Sequence, residues 1–361
     1  MESARRALDA VTAPAARAAG WWFARRYVAG GRYACHDETT DESRRATAAD
    51  RRTGFDWLLF QMMLSDAPRL AAYRRDLGAL APGARVLEVG PGPEAVLTRA
   101  ALDAGAASVV SVEGDPWVAR RATRRLERER RHAGRWRMVP AMSASLTPAD
   151  VEGDPHFDLL VLEVYDTIAS REQVVETVGD LRRRGFSFDA VVSCGFETLV
   201  APAAAPPVGP LSRAERVVLG WGPGSRARAE AAMRGRRSTL HGDLTVIDGL
   251  RLAPSRLWQA ADLESSGGAT TAEELAFPVA EPGRYAGFLV HNRLRFHHTV
   301  LDTGRTATHW GVYFVPLPLP VAAVADAGGV VLRTTGATPD EPSSFSLEAE
   351  AGGTRSPAQR F

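Results

Sequence analysis

Lysine is absent from this chain: all 44 basic residues among its 361 are arginine. With the abundance of alanine this suggests a GC-rich coding sequence, which bears on origin and leaves the chemistry open. Cysteine is nearly absent. Cys35 and Cys194 are the only two, too few for a disulfide scaffold or a zinc site, and they make a reducing cytoplasm the default compartment. No apolar run approaches the roughly 18 to 20 residues that span a bilayer. A secretory core is not expected at the start either, because Arg5, Arg6 and Arg17 punctuate the alanines and Arg25 and Arg26 follow. Charge of one sign is lacking as well: the formal net charge is +1, with no global pull towards nucleic acid or an anionic membrane. What remains is a chain long enough for two ordinary domains, or one large domain with an appendage.

Its texture changes along its length, without internal repeats. Residues 1–52 form an N-terminal segment, helical in character and rich in alanine, with Trp21, Trp22, Phe23 and Tyr27. From Phe55 to Leu77 apolar residues recur at helical spacing, and Asp66-Ala67-Pro68 reads as a helix break and restart. The period then shortens. Arg85–Val89, Ser108–Val112 and Phe157–Leu162 read as buried strands, alternating with helices at 94–104, 116–131 and 171–184. That alternation predicts a parallel sheet covered on both faces, an α/β domain over 53–200. Ala201–Pro210 reads as a linker, and 211–235 as a helical excursion. From Leu240 onward short apolar segments between turns, among them Leu244–Ile247, Tyr285–Phe296, Val312–Val315 and Val330–Leu332, predict an antiparallel barrel or sandwich to about 336. Residues 337–361 are polar and bear Pro and Gly, as in a flexible tail.

Gly90-x-Gly92 ends the first parallel strand and precedes a helix, where backbone can approach a ligand and the helix start favours negative charge. Glu113 follows the second strand, placed to accept from two ribose hydroxyls. Two nucleotides fit. Gly90-x-Gly92-x-x-Ala95 satisfies the dinucleotide fingerprint of an NAD-dependent oxidoreductase. Glu88 before the turn and Glu94 within it would repel a pyrophosphate and suit a ligand with an ammonium and a sulfonium, which favours S-adenosylmethionine. Glu163 and Glu172 bracket the loop after the third strand. Two carboxylates brought to one point match the fork of a guanidinium; by spacing alone they are also a capping acid and a solvated helix glutamate.

The segment Glu163-Val164-Tyr165-Asp166-Thr167 through Glu172 resembles the double-glutamate loop of the protein arginine N-methyltransferases, closest to their monomethylating branch. Met63-Leu64-Ser65-Asp66-Ala67-Pro68-Arg69 through Tyr73 is similar to the family's helix before the first strand. Val86–Gly92 with Glu113 is similar to its cofactor turn and ribose acid, and Thr308-His309-Trp310 to its Thr-His-Trp loop. These ordered matches run from Phe55 to Val315. The resemblance implies a Rossmann-like methyltransferase domain followed by an antiparallel β-barrel, with a dimerisation arm at about 211–235 and a homodimer. It implies S-adenosylmethionine as cofactor, held by Met63, Arg69, Glu88, Gly90, Gly92, Glu113 and Ser143. It also implies catalysis by Glu163 and Glu172 with the Asp66–His309 pair, and a substrate pocket walled by Tyr165 and Trp310. His309 remains equally readable as a structural partner of Asp66. The third glycine of the turn is Glu94 here, the tyrosine-rich helix over the cofactor is replaced by Phe55, Trp57 and Phe60, and no acid stands near Ser143-Ala144-Ser145, so adenine is left to Met142 or backbone.

The implied reaction is methyl transfer to a guanidino nitrogen, which needs no metal. Bacterial enzymes of this type serve small-molecule biosynthesis, including that of N-nitrosourea antibiotics, and the near-neutral charge suits free L-arginine. A peptide or protein arginine is the runner-up, and a non-catalytic methyltransferase-like binding protein the alternative of another class. The arginine-dense helix with Glu127 and Glu129 interleaved reads as a solvated face, with neither nucleic acid nor membrane as partner. His36, His291, His297 and His298 read as surface or strand residues.

Overall fold

The computed structural model describes residues 18, 21, 22, 25, 26, 34–37, 55–152, 154–207, 237–265 and 268–361. Most of the expected N-terminal segment and the whole of the expected arm at 211–235 lie outside the described residues. In chain order the elements begin with β1 (Ala34–Asp37), α1 (Phe55–Ser65) and α2 (Ala67–Leu80). The break at Asp66 is where the sequence places it: Asp66 caps α2 by accepting the Arg69 N–H at 3.0 Å, and Pro68 sits in the first turn, where its missing N–H costs nothing.

The α/β part comprises β2 (Arg85–Val89), α3 (Val96–Asp103), β3 (Ser108–Val112), α4 (Pro116–Glu127), β4 (Trp136–Val139), β5 (His156–Leu162), α5 (Val174–Arg183) and β6 (Ser187–Val192). Its five strands pair in parallel in the order β4-β3-β2-β5-β6. Helix-covered faces explain the unbroken apolar runs Val86-Leu87 and Leu159-Leu160-Val161-Leu162, all buried. The sheet order reverses at β2, so the ends of β2, β3 and β5 open on one crevice, where such sheets bind ligands.

The antiparallel part comprises β7 (Gly195–Ala204), β8 (Ser238–His241), α6 (Leu244–Asp248), β9 (Arg256–Asp262), β10 (Ala269–Thr271), β11 (Glu274–Pro278), β12 (Tyr285–Arg295), β13 (Val300–Asp302), β14 (Val312–Pro316), α7 (Val321–Ala327), β15 (Gly329–Thr335), β16 (Ser346–Ala351), β17 (Thr354–Arg355) and β18 (Gln359–Arg360). One sheet runs β1-β8-β14-β12-β7-β9-β10 with β13 on β12; a second runs β11-β15-β16-β17 with β18 on β16. They close on a shared core of Trp258, Phe288 and Tyr313 from the first sheet and Phe277, Leu332 and Leu347 from the second.

Three sequence expectations change. After the parallel sheet the antiparallel strands resume at Gly195, so Ala201–Ala204 ends a buried strand instead of opening a linker. Leu244–Ile247 is helical because Asp243 accepts the N–H groups of Thr245 and Val246, at 2.9 and 3.3 Å, and nucleates a turn. Residues 337–361 are no tail: β16 pairs along β15 and buries Leu347, Ala349 and Ala351, with Phe345 buried just before it. Strand alternation Leu347-Glu-Ala349-Glu-Ala351 carries that signal, at a weight its Pro- and Gly-bearing flanks obscure.

Candidate active site

The site assembles at the carboxyl ends of β2, β3 and β5. Gly90 and Gly92 have φ of +79° and +65°, the left-handed region that favours glycine. A Cβ on Gly90 would lie 3.9 Å from Val164 and 4.0 Å from the Glu163 carbonyl, and one on Gly92 would lie 3.6 Å from the Phe60 ring. The glycine turn is therefore pressed between the glutamate loop and an aromatic of α1. Phe55 and Trp57 precede Phe60 on the same helix, and their side chains lie outside the described ones. The position that departs from a third glycine, Glu94, sends its carboxylate to Arg121 of α4 at 2.9 Å. It does not face the crevice, which removes the repulsion expected from it. The left-handed conformation falls instead on Ala95, φ +45°.

Glu113 follows β3. Its Oε1 accepts the Asp115 N–H at 3.0 Å, and the Gly92 and Gly114 N–H groups face the same carboxylate. Burial pushes its pKa up, and those N–H groups pull against the shift. Met142 lies on Gly114 so closely that a Cβ there would meet its Sδ at 2.2 Å, yet it is 63% exposed. It therefore offers an apolar surface next to the ribose acid. Ser143, expected at the adenine edge, opens a 3₁₀ turn to Ser145 whose carbonyl accepts from Arg184 at 2.6 Å.

Arg69 is buried under this crevice. Its Nη2 donates to the Met63 carbonyl at 3.0 Å, its Nη1 contacts the Glu163 carboxylate, and its Nε–H is buried with no partner among the described residues. Burial lowers its pKa, and Tyr73 and Asp66 oppose that. Asp66 does two jobs. While Oδ1 caps α2, Oδ2 accepts both the backbone N–H and the ring Nδ1–H of His309, each at 2.8 Å. Burial works against ionising Asp66, but the His309 contacts outweigh it and hold the carboxyl below its usual range; burial likewise keeps His309 below the usual histidine value despite Asp66. The pair is a carboxylate with a neutral imidazole. The Trp310 ring lies tilted against His309, at 39° with centroids 4.3 Å apart, and its indole N–H donates to the Tyr165 carbonyl at 2.7 Å.

The structure brings Met63, Asp66, Arg69, Glu163, His309 and Trp310 together. Glu172 closes the same loop at the end of a 3₁₀ turn, Ala169–Glu172, on the exposed side. Two expected ligand contacts take other roles. Glu88 is buried beneath the turn, where its Oε2 accepts from Thr98 and, at 2.8 Å, from Ser111. Burial raises its pKa to about 7, so it belongs to the floor of the crevice. Tyr165 points away from the substrate side: its hydroxyl donates to the Ser193 carbonyl at 3.1 Å and accepts from the Ser193 hydroxyl at 2.9 Å.

Sequence reading missed the polar side chains that brace the loop from the antiparallel sheet. The Asn292 amide bonds to the Asp166 and Thr167 carbonyls, the Ala169 N–H and the Thr198 hydroxyl, and Gln259 accepts from Ser170 at 2.9 Å. Isolated amides on strands carry no motif that would reveal them. Asp76 of α2 was also missed; it accepts the N–H groups of His297 and His298 at 2.8 and 3.1 Å. His291 is a strand residue, bonded to Asp302 at 3.1 Å and Ser255 at 3.3 Å. The arginine-dense α4 is laced by ion pairs, Arg121 and Arg125 to Glu94 and Arg125 to Glu129, as a solvated face is. His156, Asp158 and Asp189 gather exposed ligand atoms at the opposite ends of β5 and β6, remote from the crevice.

Chemically, the crevice offers an orphaned guanidinium N–H for a carboxylate, an acid for vicinal hydroxyls, an apolar methionine for a flat ring, and acids for a cation. That set fits S-adenosylmethionine beside a guanidine. Comparison with known proteins supports the architecture. No family model and no curated protein matches the chain. Among solved structures it is similar to the Trypanosoma brucei PRMT1 enzyme–prozyme heterotetrameric complex with AdoHcy (17% identity, TM-score 0.55, 84% of this chain and 97% of that one). It is also similar to PRMT6 with SAH (17%, 0.56, 81% and 99%) and to Arabidopsis thaliana protein arginine methyltransferase 10 (14%, 0.52, 83% and 95%). The chain thus has the two-part fold of the protein arginine methyltransferases over most of its length.

Proposed function

We propose that this protein is an S-adenosylmethionine-dependent arginine Nω-methyltransferase. The observation that carries the reading is the convergence of Glu163, Arg69 and the Asp66–His309 pair beside the glycine turn, in a chain with the arginine methyltransferase fold. S-adenosylmethionine supplies a methyl group on a sulfonium, already activated for transfer. Arg69 takes its carboxylate, Glu113 its ribose hydroxyls, and Met142 with the Ser143 turn borders the adenine. Glu163 and Glu172 hold the acceptor guanidinium by charge-assisted hydrogen bonds and draw its positive charge to one side, leaving lone-pair density on the attacking nitrogen. The Asp66–His309 pair stands ready for the proton that nitrogen releases, and Trp310 excludes water from that wall.

The acceptor we favour is free L-arginine, giving Nω-methyl-L-arginine, in a homodimeric cytoplasmic enzyme of natural-product biosynthesis. The balanced charge of the chain supports this. A peptide arginine is the second reading, favoured by the protein arginine methyltransferases that share the fold. Mass spectrometry after incubation with S-adenosylmethionine and either L-arginine or an arginine-containing peptide pool decides between them. Methylated free arginine is expected; methylation of peptide alone would move the function to protein modification. A thermal-shift response to NAD in place of S-adenosylhomocysteine would point to an oxidoreductase.

A further inference from the structure

The loop that carries both glutamates hangs from the end of β5, and residues 163–168 have no helix or strand of their own before the 3₁₀ turn Ala169–Glu172. Its shape is imposed from outside. Asn292, in the second half of β12, is 1% exposed, and three of the four hydrogen bonds of its carboxamide go to this loop, the fourth to Thr198 of β7. Nδ2 donates to the carbonyls of Asp166 at 3.2 Å and Thr167 at 3.0 Å. Oδ1 accepts the Ala169 N–H at 3.2 Å and the Thr198 hydroxyl at 3.0 Å. Three consecutive parts of the loop are thereby tied to one amide, midway between Glu163 and Glu172. The backbone of Asn292 is held in turn: its N–H donates to the Thr303 hydroxyl at 3.0 Å and its carbonyl accepts the Thr303 N–H at 2.8 Å.

We infer that Asn292 is the positioning residue that sets the spacing of the two glutamates, so that the antiparallel domain shapes a guanidinium site whose acids belong to the α/β domain. This rests on the reading of Glu163 and Glu172 as the guanidinium clamp. Only an amide does this work. Two carbonyls must be met by donors and an N–H and a hydroxyl by an acceptor, and Asn presents both on one short, stiff arm. Gln259 assists from β9, where its Oε1 accepts from Ser170 at 2.9 Å and its Nε2 donates to the Pro342 carbonyl at 3.2 Å. Among the described residues neither amide touches Arg69, Glu113 or Met142, so cofactor affinity is expected to change far less than turnover.

The test uses the full-length protein with Asn292→Ala and Asn292→Asp, read by S-adenosylhomocysteine affinity and by steady-state methyl transfer to L-arginine and to the peptide pool. Homocysteine-nucleoside affinity is expected to stay near wild type in both variants, which also reports that they fold. Turnover per bound acceptor is expected to fall on the order of 10²-fold, because misplacing reacting groups by about 1 Å costs that much. Asp is predicted to be as damaging as Ala, since its carboxylate faces two carbonyls; if Asn292 only filled space, the isosteric Asp would be the milder change. The rate of the Asp variant relative to wild type should rise as pH falls, because a protonated carboxyl regains one donor. Equal activity of wild type and both variants, or a mild Asp and severe Ala, would overturn the inference. Absence of methyl transfer by the wild type to any guanidine would instead overturn the functional reading itself.

Discussion

Asp66 shows how much one buried side chain is made to do: it starts α2, holds the Thr-His-Trp loop, and orients the His309 ring by accepting its Nδ1–H. Asp66→Asn keeps an oxygen for the Arg69 N–H but turns a donor towards the two His309 N–H groups. Leaving buried donors unmet costs about 1–3 kcal/mol each, so chemical denaturation should register that loss together with a fall in methyl transfer. An unchanged unfolding midpoint would contradict the assigned contacts. Glu88 makes a prediction of opposite sign. Its carboxyl titrates near 7 in the folded chain against an ordinary 4.5, chiefly through burial. A raised acid contributes stability that is complete below about 4.5 and is lost as pH rises through about 7. The difference corresponds to roughly 3 kcal/mol. Urea unfolding at pH 5 and pH 8 should therefore show a steeper decline for wild type than for Glu88→Gln, and parallel declines would place the carboxyl in a more polar setting.

At the scale of elements, the parallel strands and the helix break at Asp66 were legible because their signals are local. Arg85–Val89 and Ser108–Val112 are apolar runs bounded by turns, and Asp66-Ala67-Pro68 carries a cap and a proline at the right offsets. What escaped depends on distant partners. The last strands look like a tail because β16 is made a strand by β15, not by its own composition. Leu244–Ile247 has the composition of a strand, and Asp243 turns it into a helix. Asn292 and Gln259 become functional only where β12 and β9 meet the glutamate loop. Leu347 tests the corrected end of the chain. It is fully buried in the shared core, so Leu347→Ala should cost about 2–5 kcal/mol in denaturant unfolding, whereas a loose tail would give no measurable change.

For the whole molecule, the two parts are joined through the site and not merely beside it. The α/β domain brings Glu163, Arg69 and Asp66; the antiparallel domain brings His309, Trp310 and the Asn292 brace. Tyr73 of α2 fastens the end of β5 by donating to the Leu162 carbonyl at 2.8 Å, and its ring packs edge-on against Phe296 at 5.0 Å. Core residues of both parts form one cluster that includes Phe196, Leu294, Phe296 and Trp310. In the function proposed above, a methyl donor bound on one domain meets an acceptor pocket finished by the other. The most direct measurement is methyl transfer to L-arginine by wild type and Glu163→Gln, with S-adenosylhomocysteine affinity determined for both. The account predicts methylarginine from the wild type, a loss on the order of 10²-fold or more in the variant, and S-adenosylhomocysteine binding by both. Tight S-adenosylhomocysteine binding with no transfer to free or peptide arginine by the wild type, or full activity in Glu163→Gln, would contradict it.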